Sequence, residues 1–225
     1  MGQKIRPNSL RLGIIEDWQA HWFPKKQKLG LLLEEDVLIR KAIDSKIKSA
    51  GIDRVLIERI GNNCQISIRA ARPGLIIGRG GKGIEDLANF IRKKIKDFRT
   101  EKKIKEMPNI NINIEELKRS EVSAAIIAQN IAWDIEKRQP FRRTIKKYLD
   151  QIMQNKEVKG AKIKVSGRLD GAEIARREQL SQGKLPLQTL RANIDYGEAT
   201  AFCTYGTVGI KVWIYKGEVF SDKGV

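Results

Sequence analysis

The chain has 225 residues, of which 41% are apolar and 32% charged. That is enough for one large or two small hydrophobic cores. Its 44 basic residues against 27 acidic ones leave a net charge of +17, and an excess of that size attracts polyphosphate backbones. No run approaches the roughly 18 apolar residues of a spanning helix, so no membrane partner is expected. The basic opening through Arg6 lacks an apolar stretch behind it, which does not fit a secretory signal. Arg6 also stands where a myristoylation pattern beginning at Gly2 requires Ser or Thr.

Residues 1–33 read as a basic N-terminal arm carrying Lys4, Arg6 and Arg11, broken by Pro7 and Gly13. Arms of this kind follow nucleic-acid backbones. Trp18, Trp22 and Phe23 argue against simple disorder and are expected to dock on the fold or stack on a base. His21 has no partners at metal-ligand or triad spacing, and Cys64 and Cys203 lie in strand-like runs as buried reduced thiols. No metal, cofactor or catalytic nucleophile is therefore expected, and the chain is not read as an enzyme.

A helix is predicted over 34–50, with Ile39, Ile43, Ile47 and Ala50 on one stripe and Gly51 as its stop. Strands follow at 54–60 and 64–70, joined by Gly61-Asn62-Asn63, a hairpin signal. The run Leu75-Ile-Ile-Gly-Arg-Gly-Gly-Lys-Gly-Ile84 then opens a helix with Ile84, Leu87, Ala88, Ile91, Ile95 and Phe98 on its buried face. The residues from 102 to 108 form a charged connection, and Ile110, Ile112 and Ile114 alternate with asparagines in a third strand. The expected product is a three-stranded sheet with helices on one face, over 34–117.

The glycines admit two readings. Gly78, Gly80 and Gly83 fit the dinucleotide fingerprint, whereas Gly78-Arg79-Gly80-Gly81 fits the G-x-x-G turn of KH domains, followed here by Lys82. The fingerprint needs an acidic residue at the end of the next parallel strand, about 20 residues on, and the next strand begins only at Asn109. A Walker loop fails because Gly83 follows Lys82 where Ser or Thr is required. A turn of this type at a helix start offers free N–H groups to a phosphate. Gly80 and Gly83 are read as loosening it, at an entropic cost near 1 kcal/mol each.

A boundary is expected at 118–120, opening a second domain over 118–225. A helix over 121–137 buries Ala124, Ile127, Ile131 and Ile135, and Pro140 ends it. The next helix, 141–155, sets Phe141, Ile145, Leu149 and Ile152 opposite Arg142, Arg143, Lys146 and Lys147. Four cations on one face repel one another, a cost that a nearby polyanion would relieve. A strand over 161–167 turns Lys162 and Lys164 away from Ile163 and Val165. After it come Arg168, a glycine turn and a short basic helical piece reaching Arg176 and Arg177, then a loop over 182–186. Strands around 190–196 and 208–215, with a turn or crossover within 200–206, complete a two-layer α/β domain.

Several segments, in order along nearly the whole chain, resemble one family. They are Gly2-Gln-Lys-Ile-Arg-Pro-Asn8, Ala71-Arg-Pro-Gly-Leu-Ile-Ile-Gly78, Phe141-Arg-Arg143, Ser166-Gly-Arg-Leu-Asp-Gly-Ala-Glu-Ile-Ala-Arg176, Leu190-Arg-Ala-Asn-Ile-Asp-Tyr196 and Gly209-Ile-Lys-Val-Trp213. They are similar to bacterial-type ribosomal small-subunit protein three. The resemblance implies an α+β chain, a type II KH domain followed by a two-layer α/β domain, in the head of the small subunit. It implies binding to small-subunit rRNA and a place beside the mRNA entry channel, which residues matching Arg142, Arg143 and Lys146 face to help unwind messages. Small-subunit proteins ten and fourteen would be neighbours, with four and five nearby, in the cytoplasm or an organelle. The rRNA contacts expected are Lys4, Arg6, Arg11, Gly78, Arg79, Gly80, Gly81, Lys82, Lys164, Arg168, Arg176 and Arg177. The alternative is a free KH-type RNA-binding protein acting in RNA assembly or decay.

Overall fold

The computed structural model describes residues 4–24, 28–104, 107–117 and 122–220. The boundary expected at 118–120 and the first residues of the Gly2 motif lie outside these. Two compact units emerge, one from Trp18–Lys118 and the other from Met1–Asp17 together with Arg119–Val225.

In the first unit, β1 (Ala20–His21), α2 (Leu29–Ile47), β2 (Ile52–Ile60), β3 (Asn63–Ala70), α3 (Pro73–Ile77), α4 (Lys82–Glu101) and β4 (Asn109–Glu116) follow one another. The preceding helix, α1 (Pro7–Arg11), belongs to the other unit. The three expected strands form the sheet, with β2 antiparallel to β3 and β3 parallel to β4. The two-residue β1 adds a parallel edge beside β2, so the order is β1-β2-β3-β4. Ile39, Ile43, Ile57, Ile66, Ile68, Leu87, Ile91 and Ile95 fill the space between α2, α4 and the sheet. The helix expected from residue 34 begins at Leu29. Its first turn is apolar without a preferred side, and Leu29 and Leu33 are exposed, so it carried no helical periodicity.

Three buried stripes in this unit end in charge. Four residues before Ile39 on α2 is Glu35, four after Ile95 on α4 is Arg99, and two after Ile57 on β2 is Arg59. They meet. Glu35 Oε1 accepts from Arg99 Nε at 2.6 Å, and Glu35 Oε2 accepts from Arg59 Nη1 at 2.9 Å. Asp36 Oδ1 takes Arg59 Nη2 at 2.6 Å, and its other oxygen takes the indole N–H of Trp22 at 2.9 Å. Burial works against the charge of Arg59, but its hydrogen bond to Asp36 and the nearby carboxylates outweigh it and raise its pKa. Arg99, in the last turn of α4, is thus a core residue, and of the three arm aromatics Trp22 docks while Phe23 is fully exposed.

The second unit holds α5 (Ala124–Glu136), α6 (Phe141–Met153), β5 (Gly160–Gly167), β6 (Arg176–Gly183), β7 (Ala192–Cys203) and β8 (Gly206–Glu218). Its sheet is antiparallel in the order β6-β5-β8-β7. α5 and α6 cover one face, burying Ile131, Ile145, Leu149 and Ile152 against Ile163, Val165, Ile210 and Val212. Ala124 N, at the start of α5, donates to Asp195 Oδ2 at 2.9 Å.

The basic helical piece expected before Glu178 is instead extended chain running into β6, and the expected loop from 182 begins inside that strand. Its residues favour helix, but nearly every β6 side chain is exposed. The strand is held by its ladder to β5, from Gly160 opposite Gly183 to Gly167 opposite Arg176, so no apolar alternation marks it. β7 runs on to Cys203, and the expected turn closes tightly between Cys203 and Gly206.

The arm expected over 1–33 is not one piece. Residues through Asp17 join the second unit, Ala20–His21 lies on the first unit's sheet, and the chain from Leu29 is helix.

The ionic centre of the first unit sets its stability. Glu35→Ala leaves two buried guanidinium groups short of a partner and is expected to cost about 3 kcal/mol or more. The measurement is the urea midpoint at constant slope, and a loss below about 1 kcal/mol, the range of exposed pairs, would contradict a buried cluster.

Candidate nucleic-acid interface

Gly78 turns the chain between α3 and the short 3-10 turn Arg79–Gly81, at φ 68° and ψ −176°. Only glycine occupies that region at ease. Gly80 and Gly81 also take positive φ, at 62° and 81°. Gly83 does not loosen the loop as expected. A Cβ there would lie 2.4 Å from the Ile76 carbonyl oxygen, so its role is to let α4 pack against the end of α3. Arg79 and Lys82 are exposed beside this turn.

Next to the turn, α4 and β4 flank an open groove of about 580 Å³ whose lining includes Ile84, Ala88, Asn89, Arg92, Asn111 and Asn113. Arg92 Nη2 donates to Ile110 O at 3.3 Å. The groove thus combines an apolar floor with amide groups able to donate and accept.

A larger cavity of about 870 Å³ lies elsewhere in the same unit, bordered by Trp22, Phe23, Leu32, Arg59, Cys64 and Arg99. Both of its arginines already answer Glu35 and Asp36. Burial pushes the Cys64 thiol above its ordinary pKa, which keeps it protonated and unreactive.

In the second unit the expected contact residues divide between two surfaces. On the helical surface, Phe141, Ile145, Leu149 and Ile152 anchor α6, and Arg142, Arg143, Lys146 and Lys147 stand exposed on its opposite side. Phe141 N donates to Asp170 Oδ1 at 3.5 Å, tying the start of α6 to the turn Leu169–Gly171. Arg142 is clasped by Glu178 through two hydrogen bonds of 3.1 and 3.2 Å, which raise the arginine pKa and lower that of the carboxylate. Arg176 Nε lies 3.6 Å from the same carboxylate, and the Arg142 and Arg176 guanidinium groups flank the Phe141 ring at 5.7 and 5.9 Å. Glu178 was not anticipated as a partner, because it lies 36 residues from Arg142 on a strand expected to be helical.

Arg177, between Arg176 and Glu178, faces the other side of the sheet with Lys164. Arg6 reaches Glu198 there. Arg168 is exposed but donates to the carbonyls of Ala172 and Tyr205 at 3.0 and 3.1 Å, bracing the turn Leu169–Gly171 that follows β5.

Arg11 corrects the expectation made for it. Its side chain is fully buried. It donates to Ala192 O at 2.6 Å, to Leu187 O and Thr189 O at 3.0 Å, and to Pro7 O at 3.1 Å. Burial lowers its pKa, with Glu16 opposing the shift. The guanidinium clamps the segment before β7 and cannot reach a phosphate.

With this geometry in place, comparison with known proteins is decisive. Residues 38–122 match the family described as "KH domain", and residues 131–214 match "Ribosomal protein S3, C-terminal domain". The chain is 47% identical over 225 residues to the small ribosomal subunit protein uS3 of Alkaliphilus oremlandii, covering 100% of this chain and 90% of that one. It is 48% identical to the uS3 of Clostridium novyi, covering 100% and 97% respectively.

The chain belongs to the uS3 family.

The uS3 family is a ribosomal structural family, not a family of enzymes. The KH match spans the glycine turn and the groove beside it, and the S3 C-terminal match spans α6 and most of the sheet. Among the described residues no helix is long and apolar enough to cross a membrane, and no cluster of His, Cys, Asp and Glu could hold a metal.

Arg11→Met is expected to lower the stability of the second unit by about 1–3 kcal/mol, since several buried carbonyls lose their donor. The salt dependence of RNA binding should stay unchanged. A slope smaller by about 1 would restore Arg11 as a phosphate contact.

Proposed function

We propose that this chain is a structural constituent of the head of the small ribosomal subunit, bound to small-subunit rRNA, with α6 beside the path of incoming mRNA. The observation that carries the reading is the exposed cationic face of α6, with Arg142, Arg143 and Lys146 set opposite a buried stripe. Such a face attracts phosphates without selecting a sequence, as a channel that must pass every message requires. Arg142, aligned by Glu178, presents its guanidinium in a fixed direction, while Arg143 and Lys146 have no carboxylate partner among the described residues.

The rRNA contacts fall to Lys4, Arg6, the turn Gly78–Lys82, Lys164, Arg168, Arg176 and Arg177, all of them exposed or half-buried. The names of the relatives support the small subunit as the assembly. The neighbours proposed are small-subunit proteins ten and fourteen, with four and five across the channel, in the cytoplasm.

A second reading, a KH protein acting on RNA away from the ribosome, draws on the groove between α4 and β4. Sedimentation of a cell extract separates the two. On the first reading the chain stays stoichiometric with the small subunit through a moderate salt wash, and on the second it runs free.

Replacing Arg142, Arg143 and Lys146 together by glutamine is expected to leave subunit assembly intact and to slow translation through message hairpins. Equal slowing on structured and unstructured messages would sink the channel role.

A further inference from the structure

The sheet of the second unit is covered by helices on one face only. Alternation sends Ile163 and Val165 of β5 toward α5 and α6 and turns Lys162 and Lys164 to the opposite face. Register places Trp213 of β8 directly beside Lys162, and Lys211 directly beside Lys164. Tyr196 of β7 follows Trp213 in the same row, the two rings 5.4 Å apart and tilted by 48°. One end of this face is closed, where Ile194 and Tyr215 pack under Leu185 and Leu187, a segment held by Arg11. Trp213 is half-buried against the edge of that closed end, and the remainder is open to solvent, with Lys211 exposed and Lys162 and Lys164 half-buried.

The charges on this open area are unbalanced. Like charges directly opposite across a ladder are destabilising, yet Lys164 faces Lys211. Lys4 adds its field, and burial together with repulsion from Lys4 and Lys164 holds Lys162 below the ordinary lysine pKa. The nearby carboxylate, Glu198, stands opposite Lys211 on β7, but its oxygens are taken by Arg6 and by the Tyr196 hydroxyl. None of Lys4, Lys162, Lys164 and Lys211 has a carboxylate partner among the described residues.

We propose that this open sheet face is a binding platform for a single-stranded stretch of RNA, with phosphates on Lys162, Lys164 and Lys211 and one unpaired base stacked on Trp213. The inference rests on the RNA-binding reading above and deepens it. Lysines two residues apart on a strand stand ~7 Å apart, comparable with successive phosphates of an extended strand. The indole of Trp213, beside Lys162 and two residues along β8 from Lys211, supplies what an acidic peptide does not need and a base does, an apolar face for stacking. The platform is separate from the α6 surface, because the sheet lies between them.

The test uses the full chain and a short oligoadenylate, with an abasic ribose-phosphate strand of equal length as the control. The triple variant Lys162→Gln/Lys164→Gln/Lys211→Gln should reduce the salt slope of oligoadenylate binding by about 2. Trp213→Leu should weaken oligoadenylate binding about tenfold and leave the abasic strand unaffected, while Trp213→Phe retains most of the affinity. An unchanged slope in the lysine variant, with a reduced slope in the α6 triple variant, overturns the platform and leaves the RNA-binding reading standing. If the unmodified chain binds neither strand, that reading fails and the platform with it. Polyglutamate bound as tightly as RNA and with equal dependence on the lysines overturns the platform in favour of an acidic protein surface.

Discussion

Mutual repulsion among cations is the constraint under which this chain folds. A net charge of +17 opposes compaction unless positive groups are either answered internally or kept apart at the surface. The structure does both. Arg59 and Arg99 are neutralised inside the first unit by Glu35 and Asp36, and Arg11 is absorbed by carbonyl oxygens in the second. The cations that remain are grouped on faces with few acids. On the outer side of α6 Glu178 steadies Arg142, and on the uncovered sheet face Glu198 is already engaged. Repulsion left on those faces is a standing cost, which a polyanion removes on binding. Ionic strength therefore governs both the stability of the free chain and its grip on RNA.

The helices and the inner strands were legible because each buries one side. Ile91 and Ile95, Ile145 and Leu149, and Ile163 and Val165 repeat at the spacing of their own element. The ionic centre was not read, though its signal was present. Continuing the stripes of α2, α4 and β2 by one step reaches Glu35, Arg99 and Arg59. An opposite charge at the end of each of two buried stripes is a hint that they meet. Nothing comparable marked β6, whose pairing is carried by backbone, or Arg11, whose acceptors are main-chain carbonyls, three of them more than 170 residues away. A carbonyl is available at every residue, so the acceptor leaves no trace in the sequence.

At the candidate interface the structure separates residues that stand side by side in the sequence. Arg176 and Arg177 were read together as rRNA contacts, apart from the channel set on α6, yet alternation along β6 sends Arg176 toward Phe141 and Arg177 to the opposite face. The period-2 pattern that separates them becomes visible only once the segment is known to be a strand. The glycine turn shows the same dependence on context. Gly83 is fixed by the carbonyl of Ile76, a neighbour that the turn itself creates.

The clamp made by Arg11 bears on how the chain comes off its own ribosome. Domains tend to fold in order as they are synthesised, at roughly 5–20 residues per second. Here the first residues out belong to the unit completed last, since the carbonyls of Leu187, Thr189 and Ala192 are not made until the chain is nearly finished. The unit from Trp18 to Lys118 can close while synthesis continues. The segment ahead of it must wait, carrying an unanswered guanidinium, for about ten seconds or more. Until those carbonyls are made, the guanidinium of Arg11 has no buried clamp to enter, and it adds to the basic charge of Lys4 and Arg6 that a polyanion can meet.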